Sequence, residues 1–219
     1  GFKNLFECQL VARGPVSASP SPITQAAIKL GLSGIAITDH EILSAHMEVN
    51  QYAKEIKKEH PDFKIALGNE IYLTNDRSRG QKYFHFILGA KDALGHRALR
   101  EMSSIAWYNS YEDRRMERVP LLKEEMREVM SRYKGHVIAT TACMGGELST
   151  NALALARARE VGDQRTAAQH YNAIVEFMKF CLDMFGEDFY VECAPSTNKE
   201  QILVNKTLFN IAGAFFVKM

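Results

Sequence analysis

The sequence lacks the signatures of several common protein classes. It contains four cysteines, and none of them form a Cys-x-x-Cys pair, which argues against a zinc ribbon and against a disulfide framework. Gly-x-Gly-x-x-Gly and Walker phosphate loops are absent, so dinucleotide binding and P-loop NTPase activity lose their main support. No apolar run approaches membrane-spanning length, and the N-terminus carries no signal-peptide pattern. We therefore expect a cytoplasmic protein with no membrane partner.

Charge of one sign does not dominate the chain. Lysine and arginine number 27 against 26 aspartate and glutamate residues, a net charge of +1. This balance excludes a whole-surface electrostatic contact with nucleic acid, so any contact with DNA needs a local patch or a partner domain. The basic stretch that contains Arg114, Arg115 and Arg118 is one candidate patch, and a solvated loop is the alternative.

Strand-like and helix-like segments alternate along the 219 residues, which are enough for one α/β domain with a sizeable core. Alternation of this kind predicts a parallel sheet with helices outside it, and the strands are expected to be buried on both faces, as in a barrel or a doubly wound sheet. Strands are predicted at 34–38, 63–68 (with 71–73 extended beyond it), 83–88, 136–140, 189–193 and 215–219. Helices are predicted at 23–30, 44–59, 92–107, 121–133, 147–160, 164–185 and 198–213.

The stretch from Gly31 to Glu41 places two polar side chains at the end of a short buried strand. Asp39 and His40 follow where the apolar run of the strand stops. In α/β proteins, ligands and metals lie just beyond the carboxyl ends of strands. The alternative is that Asp39 caps the next helix and that His40 is a surface histidine.

Three further residues of metal-binding type stand in or after predicted strands. Glu70 follows the second strand, His85 lies within the third and Cys143 follows the fourth. Imidazole, carboxylate and thiolate groups together suit zinc, iron or manganese better than calcium or magnesium alone. In a barrel these positions would converge, and a metal cluster there could activate a water and hold a phosphate. Asp39 and Glu70 are the candidate catalytic pair.

Each of these residues also has an ordinary structural interpretation. Glu70 could pair with a surface lysine, His85 could be a hydrogen-bonded core histidine, and Cys143 could pack as a small apolar thiol. Five other histidines are predicted to be helix-surface or boundary residues without a role: His46, His60, His96, His136 and His170.

These motifs resemble the PHP (polymerase and histidinol phosphatase) domain of bacterial DNA polymerase III alpha subunits, the C-family replicative polymerases. The resemblance covers residues 23–219. Its blocks beyond the fourth strand are similar to polymerase-attached PHP domains rather than to stand-alone phosphatases. The matching blocks are GLSGIAITDHE at 31–41, LGNEIYL at 67–73, YFHFIL at 83–88, TACMGGEL at 141–148, FYVECAPS at 189–196, NKEQ at 198–201 and VNK at 204–206.

The resemblance implies a distorted (β/α)7 TIM-like barrel with metals at the carboxyl ends of its strands. By resemblance the metal ligands are His40, Glu70, His85 and Cys143, and Asp39 lies in the same motif as His40. It implies support of polymerase structure and, in some members, metal-dependent 3′–5′ exonuclease or phosphoesterase activity. The implied metals are zinc, manganese or iron, with magnesium for the nucleotidyltransferase reaction of the parent polymerase. The implied partners are the remainder of the alpha subunit, DNA through the parent protein, and other replisome subunits.

The sequence departs from the family pattern at both ends. Residues 1–22 contain no match to the family's first His-x-His motif, for which Glu7, Cys8 and Gln9 are a poor substitute. The family's closing Asp-x-His motif follows the strand that begins at Phe215, and the sequence ends at Met219 before it. We therefore expect a poorly matched segment at 1–22 and a PHP domain at 23–219, incomplete at both ends, with weak or absent metal binding and impaired hydrolysis. The alternatives are a stand-alone phosphatase for a small phosphate ester and a catalytically inactive scaffold.

Overall fold

The computed structural model describes residues 20–78, 80–113 and 115–219. The predictions for Glu7, Cys8 and Gln9 lie outside these residues. Within the described ranges there are seven α-helices and eight strands, and the helices begin and end close to their predicted positions. In chain order they are α1 (Pro20–Lys29), β1 (Gly34–His40), α2 (Ala45–Glu59), β2 (Lys64–Thr74), β3 (Phe84–Ala90), α3 (Ala93–Tyr108), β4 (Tyr111–Asp113), β5 (Met116–Arg118), β6 (Pro120–Leu122), α4 (Lys123–Tyr133), β7 (Val137–Thr140), α5 (Glu147–Glu160), α6 (Gln164–Phe185), β8 (Phe189–Tyr190) and α7 (Lys199–Phe215).

The central sheet is mixed, with the strand order β1-β2-β3-β7-β8, and β6 pairs with the later part of β2. β1 is parallel to β2, and β7 is parallel to β8, but β3 runs antiparallel to both β2 and β7. The prediction of a parallel sheet is therefore wrong at β3. The connection from β2 to β3 contains no helix and is shorter than the dozen or so residues that a parallel crossover requires.

The sheet of the described residues does not close into the barrel that the resemblance implies. β1 pairs with β2 on one side, and at the far end β8 is followed by a single parallel bridge between Tyr190 and Lys218. The sixth predicted strand is reduced to this bridge because α7 continues to Phe215. None of the helices seen in residues 20–219 combines the length and the apolar character that a membrane crossing requires.

The helices pack on one face of the sheet. Ile35 and Ile37 of β1 and Ile71 of β2 lie on this face, and they belong to two apolar clusters that include buried residues from all seven helices. Because side chains alternate along a strand, positions 40, 70 and 72 lie on the opposite face, which we call the site face.

A short hairpin lies between Tyr108 and Pro120, where the sequence predicts neither a helix nor a strand. β4 and β5 pair antiparallel, with Tyr111 directly opposite Arg118. Residues directly opposite each other in such a pair point to the same side. The hairpin therefore holds Arg118 in a defined position.

Two histidines tie α2 and α3 to the sheet, and the prediction of a surface or boundary position for His46 is wrong. His46 is buried, with its Nε2 2.9 Å from the carbonyl oxygen of Gly68 and its Nδ1 3.0 Å from Nε2 of His96. Since Nε2–H of His46 donates to the carbonyl, its Nδ1 accepts from Nε2–H of His96, and the His46 ring must be neutral. Burial lowers the pKa of His46 and also that of His96, which Arg100 lowers further.

We expect this histidine pair to make the protein less stable in acid. A histidine with a lowered folded pKa contributes stability that is present above its unfolded pKa of about 6.5 and is lost as the pH falls below it. Urea unfolding across pH should show the free energy of unfolding falling by up to about 1.4 kcal/mol per pH unit for each such group. His46→Gln should flatten this dependence, while His60→Gln, at an exposed position, should not. Equal acid slopes in all three proteins would contradict the assignment.

Candidate metal centre

Residues from β1, β2 and β3 meet on the site face. His40, the last residue of β1, pairs in register with Glu70 of β2, and Tyr72 pairs with His85 near the start of β3. Because β3 is antiparallel, its first residues lie beside the late residues of β2 rather than at the far edge of the sheet. The unexpected direction of β3 therefore still places His85 next to the other candidate ligands.

Glu70 is the centre of this group. Its side chain is 2% exposed, with Oε1 2.6 Å from Nδ1 of His85 and Oε2 3.6 Å from Nε2 of His40. One donor atom from each of the three residues lies within 4.8 Å of the other two. Three donor atoms this close together could hold a single divalent cation.

Cys143 reaches the same group from the loop after β7. Its Sγ is 3.6 Å from Nδ1 of His85 and 4.0 Å from Oε1 of Glu70. The loop is held close because the backbone N–H of His85 donates to the carbonyl oxygen of Gly145 at 3.0 Å. A Cβ at Gly145 would lie 3.1 Å from the His85 ring, so glycine permits this approach. The four predicted ligands are thus neighbours, and their role as ligands stays a prediction.

Hydrogen bonds within the group change the proton affinities of two side chains. The contacts with Cys143 and Glu70 raise the pKa of His85 to about 9. Burial alone would raise the pKa of the Cys143 thiol, but hydrogen bonds from His85 and the Gly145 N–H outweigh it and lower that pKa. Without a cation, the group therefore retains a proton that metal binding would release.

The donor set fits a divalent metal. A carboxylate as buried as Glu70 requires a compensating positive charge. Among residues 22–78, 80–113 and 115–219, no lysine or arginine lies within 4.0 Å of Glu70, and the basic side chains that contact it are the imidazoles of His40 and His85. Two imidazoles, one carboxylate and one thiol suit zinc or a similar transition metal better than calcium or magnesium.

Asp39 lies apart from this group. It pairs in register with Asn69 and therefore points to the helix-covered face, away from His40 and Glu70. Burial raises the pKa of Asp39, and the charge of His40 opposes this. Its predicted pairing with Glu70 in catalysis stays a prediction.

The sequence reasoning missed Tyr72. Its ring stacks on His40 with ring centroids 5.9 Å apart, and its hydroxyl is 3.3 Å from Nδ1 of His40. This contact holds the His40 ring with Nε2 towards Glu70, the kind of support that metal-binding histidines usually have. The signal in the sequence is the spacing of two residues from Glu70 within one strand, which places both side chains on the same face.

Glu41 is a second residue that the sequence did not single out. It is buried directly after β1, with a φ of 48°, and burial raises the pKa of its carboxyl to about 7. The side-chain amide of Asn69 donates to its carboxylate at 3.2 Å, and Nε1–H of Trp107 donates to its carbonyl oxygen at 2.8 Å. Glu41 thus anchors the end of β1, which carries His40, to β2 and α3.

The lowered pKa of Cys143 leads to a prediction about its reactivity. We expect iodoacetamide to modify Cys143 faster than Cys181 and Cys193, because burial raises the pKa of both of those thiols. Zinc should slow the modification of Cys143 only. Peptide mapping by mass spectrometry after timed labelling measures all three rates. Equal rates at Cys143 and Cys193, or a rate at Cys143 that zinc leaves unchanged, would contradict the geometry.

Comparison with known proteins gives the chain a family. The model of the "PHP domain" family matches residues 16–196. A protein of Bacillus subtilis (strain 168) named "Probable DNA polymerase YorL" is 40% identical over 213 residues, which cover 92% of this chain and 16% of that protein. The "DNA polymerase III subunit alpha" of Borreliella burgdorferi is 30% identical over 199 residues, which cover 88% of this chain and 15% of that protein. The chain thus spans about one sixth of these relatives. A crystal structure from Bifidobacterium adolescentis superposes with a TM-score of 0.47 at 14% identity, over 92% of this chain and 80% of that one.

Proposed function

Because this chain belongs to the PHP family, we propose that it is the PHP domain of a C-family replicative DNA polymerase and that its site face hydrolyses phosphodiester bonds as a metal-dependent 3′–5′ exonuclease. The observation that carries the proposal is the convergence of His40, Glu70 and His85 on that face. The relatives described above are named as DNA polymerases, which supports a role in DNA synthesis.

Each residue of the group has a defined task in this proposal. His40, Glu70 and His85 would hold the cation, with Cys143 beside them as a further donor. A bound divalent cation polarises a phosphate oxygen and lowers the pKa of a water molecule. His85 must lose its extra proton to become a ligand, and Glu70 offers one carboxylate oxygen to each imidazole. Tyr72 keeps the His40 ring in the orientation that binding needs.

The wider setting follows from the polymerase relatives. We assign the partners as the remainder of an alpha subunit, DNA through that parent, and other replisome subunits, in the cytoplasm. Polymerisation itself, with magnesium, belongs to the parent protein. For this chain we favour zinc, manganese or iron, because a thiol and two imidazoles stand beside the carboxylate.

A structural role is a second candidate, and α7 favours it. Phe209 is 66% exposed and Phe216, just after the helix, is 97% exposed, with Ile202 on the same helix also exposed. Large apolar side chains in solvent commonly mark a contact surface. In a polymerase subunit such a surface would pack against a neighbouring domain whether or not the site face is active.

Metal analysis combined with a nuclease assay tests the proposal. The chain is loaded with zinc or manganese and incubated with a single-stranded oligonucleotide labelled at its 5′ end. We expect slow stepwise shortening from the 3′ end, since the departures from the family pattern predict impaired hydrolysis, and none with Glu70→Gln. Turnover of p-nitrophenyl phosphate without DNA cleavage would overturn the exonuclease proposal in favour of a small-ester phosphatase. If the folded chain takes up no metal and cleaves neither substrate, the exonuclease proposal is overturned and the structural role is the remaining candidate.

A further inference from the structure

A row of aromatic side chains leads away from the candidate metal centre. Tyr72 stacks on His40, and Tyr83 contacts Tyr72 edge to face with ring centroids 5.1 Å apart. Tyr72 also contacts His85, at a centroid distance of 5.4 Å. The two tyrosines are half-buried, so each residue is partly accessible to solvent. An apolar aromatic surface therefore begins at the candidate ligands and extends outward to Tyr83.

Arg118 stands at the outer end of this row. Its guanidinium lies over the Tyr83 ring, 5.4 Å from the centroid, and donates to the Tyr83 hydroxyl. No carboxylate of the described residues lies within ion-pair distance of Arg118. The positive charge is thus held in place by the β4–β5 hairpin and by an aromatic ring, without neutralisation by an acid.

We infer that Tyr72, Tyr83 and Arg118 form a subsite for single-stranded DNA beside the metal centre. Bases stack against the tyrosine row, and Arg118 contacts a backbone phosphate. Aromatic rings that alternate with a fixed cation are the combination by which proteins bind single strands without reading sequence, because every base has a π-face and every nucleotide a phosphate. The inference rests on the proposed function and deepens it, since it names the side chains that would hold the strand whose 3′ end the site face cleaves.

Single-stranded DNA suits this surface better than a small phosphate ester or a duplex. A small ester would occupy the metal centre and would be too short to contact Tyr83 and Arg118. In a duplex the base faces are already stacked on one another and cannot cover tyrosine rings. A free 3′ strand can place its terminal linkage at the metal centre while the preceding bases lie along the row.

The rival explanation is that Arg118 and Tyr83 only fasten the hairpin to the sheet. Fluorescence anisotropy of a labelled oligothymidine, made resistant to cleavage by a phosphorothioate at its 3′ end, separates the two explanations. We expect Tyr83→Leu to weaken binding about tenfold, as loss of a stacked base does. Arg118→Gln should reduce the slope of log affinity against log salt by about 0.7, the value for one phosphate on a single strand.

Matched controls come from exposed residues elsewhere on the molecule. Tyr171→Leu on α6 and Arg97→Gln on α3 alter side chains of the same types at exposed positions, and both should bind the oligonucleotide like the unmodified chain. Circular dichroism and zinc stoichiometry confirm that each variant is folded. If Tyr83→Leu does not fold, the salt slope of Arg118→Gln alone decides between a DNA subsite and a purely structural contact. The inference is overturned if Tyr83→Leu and Arg118→Gln bind the oligonucleotide with the same affinity and the same salt slope as the controls.

The subsite and the proposed function can be refuted separately. Hydrolysis of bis(p-nitrophenyl) phosphate, measured in parallel, tests the activity of the metal centre alone, because this small ester does not need the DNA subsite. If no protein hydrolyses this ester, the exonuclease proposal fails, while the anisotropy data still decide the DNA subsite. If the ester is hydrolysed and the row variants bind DNA like the controls, the subsite fails and the metal centre stands.

Discussion

Replacing Glu70 by glutamine is expected to abolish the binding of zinc or manganese. The carboxylate faces both His85 and His40 and is 2% exposed, so it supplies the negative charge and one donor of the candidate centre. Changes to residues that merely support ligands cost about 10–100-fold in metal affinity, and loss of a ligand should cost at least about 100-fold on the same scale. Isothermal titration and elemental analysis of the purified protein measure the effect.

The control for this substitution is another buried glutamate. Glu147 is 9% exposed and lies on α5, where its carboxylate pairs with Lys123 at 2.8 Å. Glu147→Gln should take up metal like the unmodified chain, although it removes the same charge. Both variants should keep the circular dichroism of the unmodified protein. Unchanged metal stoichiometry in Glu70→Gln would show that the metal, if bound, uses other donors.

The sequence was sufficient to identify the candidate ligands because each follows a local rule. His40 lies at the end of β1, where its apolar run stops, and Cys143 lies in the loop after β7. These positions depend on hydrophobic periodicity within a few residues, which a single sequence carries. Their meeting depends on strand pairing, and that required the structure. Asp39 illustrates the limit, because its adjacent position to His40 in sequence places it on the opposite face of the strand.

The direction of β3 and the contacts between distant segments were not predictable from periodicity. An apolar strand pattern is the same in either direction, and only the short connection after Thr74 indicated an antiparallel neighbour. The sequence predicts a helix-surface or boundary position for His46, because its burial depends on Gly68 and His96, which are distant in sequence. The contact of Arg118 with Tyr83 likewise requires a hairpin that contains few apolar residues. Closure of the sheet is set by strand pairing over the whole chain and is outside the reach of local patterns.

Replacing Gly95 by alanine is expected to destabilise the protein by about 3 kcal/mol, the upper part of the usual range for forcing an atom into a packed interior. Gly95 lies in the first turn of α3, and a Cβ there would be 2.0 Å from the carbonyl oxygen of His136. That oxygen already accepts from the N–H of Lys91 at 3.0 Å, and the His136 ring is 2.7 Å from the carboxylate of Asp92, the residue that caps α3. Neither backbone can retreat without breaking these contacts. Thermal unfolding should show the midpoint falling by about 6–12 °C for a chain of this size.

Helix propensity alone predicts the opposite sign, which makes the comparison with a second glycine informative. Alanine in a helix interior is favoured over glycine by about 1 kcal/mol, and Gly213 of α7 has no atom within 4 Å of the position that a Cβ would take. We therefore expect Gly213→Ala to stabilise the protein by about 0.5 kcal/mol, because the substitution restricts the unfolded chain without a collision. The two variants make the same chemical change in two helices of one chain, so the difference between them isolates the packing of α3 against the start of β7. Stabilisation by both would mean that α3 can move away from His136 at little cost, and the position of the sheet relative to that helix would then need revision.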